Sequence, residues 1–205
     1  MTETQFWTPA YSATAVEIKQ TNLVHGGFCQ VYTYELRHQL FSGEWSAWLN
    51  RELIRRSHAA AVLLYDPEQD AVILIEQFRV GLLEEKHTSP WMLEIVAGLQ
   101  DQGESGEETV MREAQEEAGC TITRLIKIGA CYNTPGVLTE KTEIFCGICE
   151  APQTGTISGL QAEHEDIKVH VFDRKVILEA FEAQAFLMSA STMISLQWLQ
   201  LHPDL

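Results

Sequence analysis

The spacing of apolar and polar residues divides the chain near residue 57. In the first part, alternation with period two is clear in Phe28-Cys-Gln-Val-Tyr-Thr-Tyr-Glu-Leu36, a strand pattern. Three strands are predicted, over 14–21, 28–37 and 45–55, with turns at His25-Gly-Gly27 and Phe41-Ser-Gly-Glu44. A three-stranded antiparallel sheet of this size has little core of its own and should lean on something else. From His58 onward the apolar runs lengthen. Ala59-Ala-Ala-Val-Leu-Leu-Tyr65 and Ala71-Val-Ile-Leu-Ile-Glu-Gln-Phe78 read as buried strands joined by a turn at Asp66-Pro67. A helix is predicted over 105–118, strands over 122–132, 140–150 and 166–172, and two helices over 174–184 and 190–201. The predicted organisation is an N-terminal β-sheet domain, 1–57, and an α/β (or α+β) three-layer sandwich, 58–205.

Composition narrows the function classes. The chain has 205 residues, 29 acidic against 14 basic, for a formal charge of −15. Such a charge repels phosphate backbones, so nucleic acid is excluded as a main partner, although bound cations could invert the field locally. No apolar run approaches the ~20 residues of a membrane span, and Met1-Thr-Glu-Thr-Gln-Phe-Trp7 lacks the pattern of a signal peptide. A soluble, cytoplasmic protein is expected. The five cysteines, at 29, 120, 131, 146 and 149, are odd in number and scattered, which argues against a disulfide framework. Cys146 and Cys149 fall on one predicted strand, three apart, and should face opposite ways as core thiols rather than metal ligands.

The chemistry concentrates in Gly98-Leu-Gln-Asp-Gln-Gly-Glu104-Ser-Gly-Glu-Glu-Thr-Val-Met-Arg112-Glu113-Ala-Gln-Glu116-Glu117-Ala-Gly119-Cys120. Ser105 and Glu108 form a capping box that starts the helix, and Gly119 stops it. Glu113, Glu116 and Glu117 then share one helical face. Like charges at that spacing cost a few tenths of a kcal/mol, and acids in a last turn oppose the macrodipole by about 0.3–1 kcal/mol. A divalent cation would reverse both penalties; a solvated acidic face is the alternative that the helix alone leaves open. The wider spacing, Gly-x5-Glu-x7-Arg-Glu-apolar-x-Glu-Glu-x-Gly-apolar, decides between them. It matches the Nudix box, with Ala114 and Cys120 in the apolar slots.

The chain resembles the ADP-ribose pyrophosphatase branch of the Nudix family along nearly its whole length. Pro135 lies 15 residues beyond Cys120, as in that branch, and Ala162-Glu-His-Glu-Asp-Ile167 resembles its catalytic acidic loop. The resemblance implies a Nudix three-layer α/β/α sandwich with a small N-terminal antiparallel sheet that dimerises. It implies Mg²⁺, with Mn²⁺ as an alternative, held by Glu113, Glu116, Glu117, Glu165 and the Ala97 carbonyl. Arg112 would orient the carboxylates, together with Glu104. Glu163 is the implied general base, although loop position alone would make it a surface acid; His164 ranks below it.

Arg79, at a strand end, would meet a phosphate or else form an ordinary surface salt bridge. Phe28 would stack on adenine, though it otherwise reads as a strand core residue. Cys29, Arg51, Glu52 and Arg56 would line the pocket. Leu99, Thr134, Pro135 and Gly136 would offer mainly backbone contacts, and Glu140 would reach the terminal ribose. The implied substrate is ADP-ribose, cleaved at a site shared across a homodimer. The alternatives are another sugar nucleotide (ADP-glucose, ADP-mannose or GDP-mannose) and a catalytically silent, nucleotide-binding Nudix regulator.

Overall fold

The computed structural model describes residues 7–86 and 89–205, with Glu163 described by its backbone alone. Most of the N-terminal stretch read for a leader, residues 1–6, lies outside the described residues. Contacts group the chain into two units, Met1–Arg56 with Thr134–Thr139, and Ser57–Asn133 with Glu140–Leu205.

The first unit is an antiparallel sheet of β1 (Val16–Gly26), β2 (Gln30–His38) and β3 (Leu49–Arg55), in that order. Two expectations change here. Strand β1 runs on through His25 and Gly26, which pair with Val31 and Gln30, so the hairpin turn is Gly27-Phe28-Cys29. Phe28 is therefore a loop-tip residue, 84% exposed, and not part of a strand core. The third strand begins at Leu49, and Trp45 makes only an isolated bridge to Gln39. Residues 134–139 join this unit through main-chain pairing: Ile54 N–H donates to the Val137 carbonyl at 2.7 Å and Thr139 N–H to the Ile54 carbonyl at 3.1 Å. Among the described residues of Met1–Arg56, Ala15 alone is buried.

The second unit is built on β4 (Ala59–Asp66) and β5 (Ala71–Phe78). It continues through β6 (Trp91–Glu94), β7 (Val96–Leu99), α1 (Gly106–Ala118), β8 (Arg124–Tyr132) and β9 (Lys141–Ile148). Then come β10 (Ile157–Ser158), β11 (Ile167–Asp173), α2 (Arg174–Glu182) and α3 (Ala190–Gln200). The sheet order is β10-β11-β5-β4-β9-β8, with β4 and β9 parallel.

Alternation along the central strands sorts their side chains between two helical layers. Ala60, Val62, Leu64, Ile73 and Ile75 pack in one cluster with Val110, Ala114 and Ala118 of α1. Ala61, Leu63, Tyr65, Val72 and Leu74 pack in the other with Ile177 of α2 and Leu196 and Leu199 of α3. A strand buried on both faces reads as a continuous apolar run, which is why β4 and β5 were legible as strands but not as belonging to one layer or the other. Cys146 joins the α2/α3 cluster and Cys149 the α1 cluster, so the two thiols do face opposite ways. All five cysteines are free. Among the described residues no helix is long and apolar enough to cross a membrane.

The feature absent from the sequence reading is the pair β6 and β7. Strands β4 and β5 pair only beside their turn, Leu64–Asp66 with Ala71–Ile73, and then diverge. The run Trp91–Leu99 fills the wedge: β6 pairs with β5, the chain breaks at Ile95, and β7 pairs with β4. The Ile95 N–H, which has no ladder partner at the break, donates to Thr192 Oγ1 of α3 at 3.1 Å. Such a break keeps a buried amide satisfied while letting one segment serve two neighbours.

Removing packing from the middle of this sheet should be costly. Leu64, fully buried, is expected to lose about 2–5 kcal/mol of stability as Leu64→Ala, read as a fall in the urea midpoint. A midpoint unchanged from wild type would mean that this layer does not govern unfolding.

Candidate active site

Helix α1 begins as its sequence requires. The Ser105 side chain accepts from Glu108 N–H at 3.2 Å, and the Glu108 carboxylate accepts from Ser105 N–H at 2.8 Å. Gly119 ends the helix in the left-handed region, at φ 67°, where a side chain would be strained. Between these caps, Glu113 and Glu117 come to the edge of α1 that meets β7, and Glu116 pairs with Arg112. Gly98 of β7 lies so close to α1 that an added Cβ would sit 1.7 Å from Glu113 Oε1. The first glycine of the motif is thus a space requirement for a carboxylate.

Arg112 organises the acids. Its Nε donates to Glu104 Oε1 at 3.0 Å, its Nη2 to Glu104 Oε2 at 3.1 Å, and its Nη1 to Glu113 at 2.7 Å and Glu116 at 2.9 Å. A longer contact, 3.4 Å, runs from Nη2 to the Leu99 carbonyl. The role expected of Arg112 and Glu104 matches this geometry. The guanidinium, with help from Asp101 N–H and Thr109, holds the Glu104 carboxyl down at about 2.

Glu117 is in the opposite situation. Only 3% exposed, it accepts one hydrogen bond, from Ala97 N–H at 3.1 Å. Burial, with the nearby charges of Glu113 and then Glu165, pushes its carboxyl up to about 8, against the opposing influence of Ala97 N–H and Arg79. Glu113 is likewise raised, chiefly by burial. Glu165 is held from its own loop, where Oε2 accepts from Leu160 N–H at 3.1 Å, and Gly159 N–H in turn donates to the Glu116 carbonyl at 3.2 Å. Gly159 adopts φ +100°, and a Cβ there would meet Glu165 Cβ at 2.8 Å. The loop can therefore bring Glu165 up to α1 only with glycine at that position.

These groups fit a hard divalent cation in the kind of donor they offer. They are carboxylate oxygens, one of them buried among like charges with a single hydrogen bond. Among the described residues no group of three or more His, Cys, Asp or Glu is arranged to hold an ion as it stands. Arg112 Nη1 engages one oxygen each of Glu113 and Glu116, which leaves the second oxygen of each carboxylate without a bond to that guanidinium.

The other candidates distribute as follows. Ala97, Leu99, Arg79 and Glu140 lie in the second unit, where Arg79 pairs with Glu94 at 2.6 Å and Glu140 accepts from Asn133 Nδ2 at 3.0 Å. Phe28, Cys29, Arg51, Glu52, Arg56, Thr134, Pro135 and Gly136 lie in the first. There the Arg56 guanidinium stands 5.1 Å from the Phe28 ring centre, and Arg51 and Glu52 are exposed on β3 opposite Tyr34 and Thr33. Thr134 O accepts from Val137 and Leu138 N–H, which turns the chain over Pro135 and Gly136. Glu163 ends a short 3-10 turn, Gln161–Glu163, but its side chain lies outside the described residues. His164, which follows it, has φ 58° and is exposed. A cleft of about 580 Å³ lined by Tyr65, Asp70, Arg174 and Leu205 contains none of the candidates. Sequence reasoning missed Glu94; its signal was an acid set inside the apolar run Met92–Ala97.

A Gly98-to-Cys120 motif on a helix packed against a mixed sheet of this topology defines a Nudix fold, and the chain belongs to the Nudix family. The NUDIX domain model matches residues 55–187. The chain is 36% identical to an ADP-ribose pyrophosphatase of Haemophilus influenzae, over 97% of this chain and 94% of that one. It is 40% identical to an ADP-ribose pyrophosphatase of Escherichia coli K12, over 91% and 88%. A GDP-mannose pyrophosphatase of Yersinia pestis is 34% identical, over 74% and 75%.

The raised Glu117 carboxyl gives a signed expectation. Folded, this group keeps its proton to about pH 8, against an ordinary value of 4.5. Between those values the folded state binds the extra proton, so its contribution to stability falls as pH rises through the window. With metal chelated, Glu117→Gln should raise Tm at pH 8 by about 3 °C or more, the shift that roughly 1 kcal/mol gives in a chain of this size, and by little at pH 4.5. Melting curves at the two pH values test this; an equal gain at both would remove the buried charge as the cause.

Proposed function

We propose that this protein hydrolyses the pyrophosphate bond of ADP-ribose, releasing AMP and ribose 5-phosphate, with Mg²⁺ as its cofactor. The observation that carries the reading is the extent of similarity. Identity to the two ADP-ribose pyrophosphatases spans 91–97% of the chain, whereas that to the GDP-mannose pyrophosphatase spans 74%. The first unit, with Phe28, Arg51 and Arg56, is the part in which a substrate preference would be read.

Glu113, Glu116, Glu117, Glu165 and the Ala97 carbonyl would hold the cation. When bound, Mg²⁺, or Mn²⁺ in its place, supplies charge neutralisation at the two phosphates and a lowered pKa for the attacking water. Arg112 keeps Glu113 and Glu116 on the same side of α1. Arg79, with N–H groups beyond its Nε, binds a phosphate. Glu163 accepts the proton of the water as general base. Phe28 stacks on adenine, Cys29, Arg51, Glu52 and Arg56 flank it, and Glu140 reaches the terminal ribose. Leu99, Thr134, Pro135 and Gly136 contribute backbone contacts.

The same reading includes a cytoplasmic homodimer in which each copy lends its Phe28 and Arg51 to the other's substrate. Its support is the bareness of the first unit, where Ile18 is 58% exposed, Leu23 53% and Val24 57%, with Ala15 the one buried apolar residue among those described in Met1–Arg56. A second copy would cover such a sheet, and two-fold pairing is the commonest way.

Three measurements check these assignments. AMP release should be fastest from ADP-ribose in a panel that includes ADP-glucose, ADP-mannose and GDP-mannose, and EDTA should abolish it; faster cleavage of another member would reassign the substrate. Glu163→Gln should lower kcat by about 10²–10⁴-fold with KM little changed, whereas Glu117→Gln should raise the Mg²⁺ needed for half-activity. Near-normal kcat in Glu163→Gln, with loss in Glu165→Gln or His164→Ala, would move the proton to another acceptor. Sedimentation at micromolar concentration should give a dimer, and an active monomer would count against the shared site.

A further inference from the structure

Glu94 has no place in the Nudix motif, yet it is a 7%-exposed carboxylate in the sheet. It is the last residue of β6, opposite Ile75 of β5, immediately before the break at Ile95. Its neighbours Leu93 and Ile95 pack in the α2/α3 cluster, whereas Ile75 belongs to the α1 cluster. Glu94 therefore faces the α1 side of the sheet, the side that already carries Glu113 and Glu117. A further buried acid there is unfavourable unless it is paired and hydrogen-bonded. Its one partner among the described residues is Arg79, the residue that follows β5, whose Nε donates to Glu94 Oε2 at 2.6 Å.

That single contact engages one of the five guanidinium N–H groups. The remaining four have no protein partner among the described residues, and the Arg79 side chain remains 43% exposed. The charge of Arg79 also reaches Glu117. A guanidinium fixed through Nε presents its terminal Nη edge, the arrangement suited to two phosphate oxygens, with less side-chain freedom to lose on binding.

We infer that Glu94 is a positioning residue: it holds Arg79 by Nε so that the two Nη groups are set to receive a phosphate of the substrate. This rests on the reading of Arg79 as a phosphate contact. It differs from a structural latch, which would stabilise the β5–β6 end without affecting how substrate binds.

A double-mutant cycle on the full-length protein separates these possibilities, using Glu94→Gln, Arg79→Ala and the double variant. The assay is the sugar nucleotide that the panel shows to be cleaved, with Tm recorded for each protein. Positioning predicts that Glu94→Gln lowers kcat/KM by about tenfold to a hundredfold, mainly through KM, and costs less than about threefold further when Arg79 is already alanine. Equal losses in both backgrounds, or a lower Tm with unchanged kcat/KM, would overturn the inference and leave a structural pair. If Arg79→Ala keeps wild-type kcat/KM, the phosphate role of Arg79 fails and the inference with it. If Arg79→Ala is impaired and Glu94→Gln is not, only the inference fails.

Discussion

One guanidinium stands among too many carboxylates, and much of the second unit is arranged around that imbalance. Arg112 meets Glu104, Glu113 and Glu116 directly, which leaves Glu117, the deepest of the group, with a backbone N–H and the more distant charge of Arg79. The electrostatics therefore grade along the helix. At the Glu104 end a carboxylate is satisfied and held low at about 2, and at the Glu117 end another is driven up to about 8. A protein selected only for stability would place an apolar residue at 117, beside Ala114 and Ala118 in the core. An acid kept there at a cost in folding stability fits the divalent cation that Nudix hydrolases generally use.

Precision in that arrangement comes from the sheet rather than the helix. Because β4 and β5 separate after three residue pairs, the intervening segment presents Val96–Leu99 to α1 without sharing β5's pairing. Two glycines permit close approach, Gly98 beneath Glu113 and Gly159 against Glu165, each at a point where a methyl group would overlap a carboxylate side chain. Helix, broken strand and acidic loop are thus held relative to one another by one contact to a side chain, Ala97 N–H to the Glu117 carboxylate, and one between backbones, Gly159 N–H to the Glu116 carbonyl.

The sequence revealed α1 and its caps closely, because capping box, glycine stop and helical spacing are local signals that tertiary packing had no reason to override. The central strands were legible for the same reason. Strands β6 and β7 were not, since each is only four residues long, Glu94 interrupts the run, and its division at Ile95 depends on two neighbouring strands and on Thr192 far along the chain. Phe28 was misplaced because Gly26 and Gly27 look alike in sequence, and only pairing with Gln30 shows that the first of them still belongs to the strand. The carboxylate set was visible from spacing; the partnership of Glu94 with Arg79 was not, because it joins residues 15 apart across a strand pair.

The segment Thr134–Thr139 lies far along the sequence, between β8 and β9, yet it is tied by main-chain hydrogen bonds to Ile54 near the end of β3. The polypeptide consequently passes from one unit to the other three times, near 56, 133 and 139. A unit stitched in this manner cannot be exchanged as a cassette. Splicing a different N-terminal sheet ahead of residue 57 would leave the Pro135 loop paired to a strand it was not shaped for, so β3 and that loop can be exchanged only as a pair.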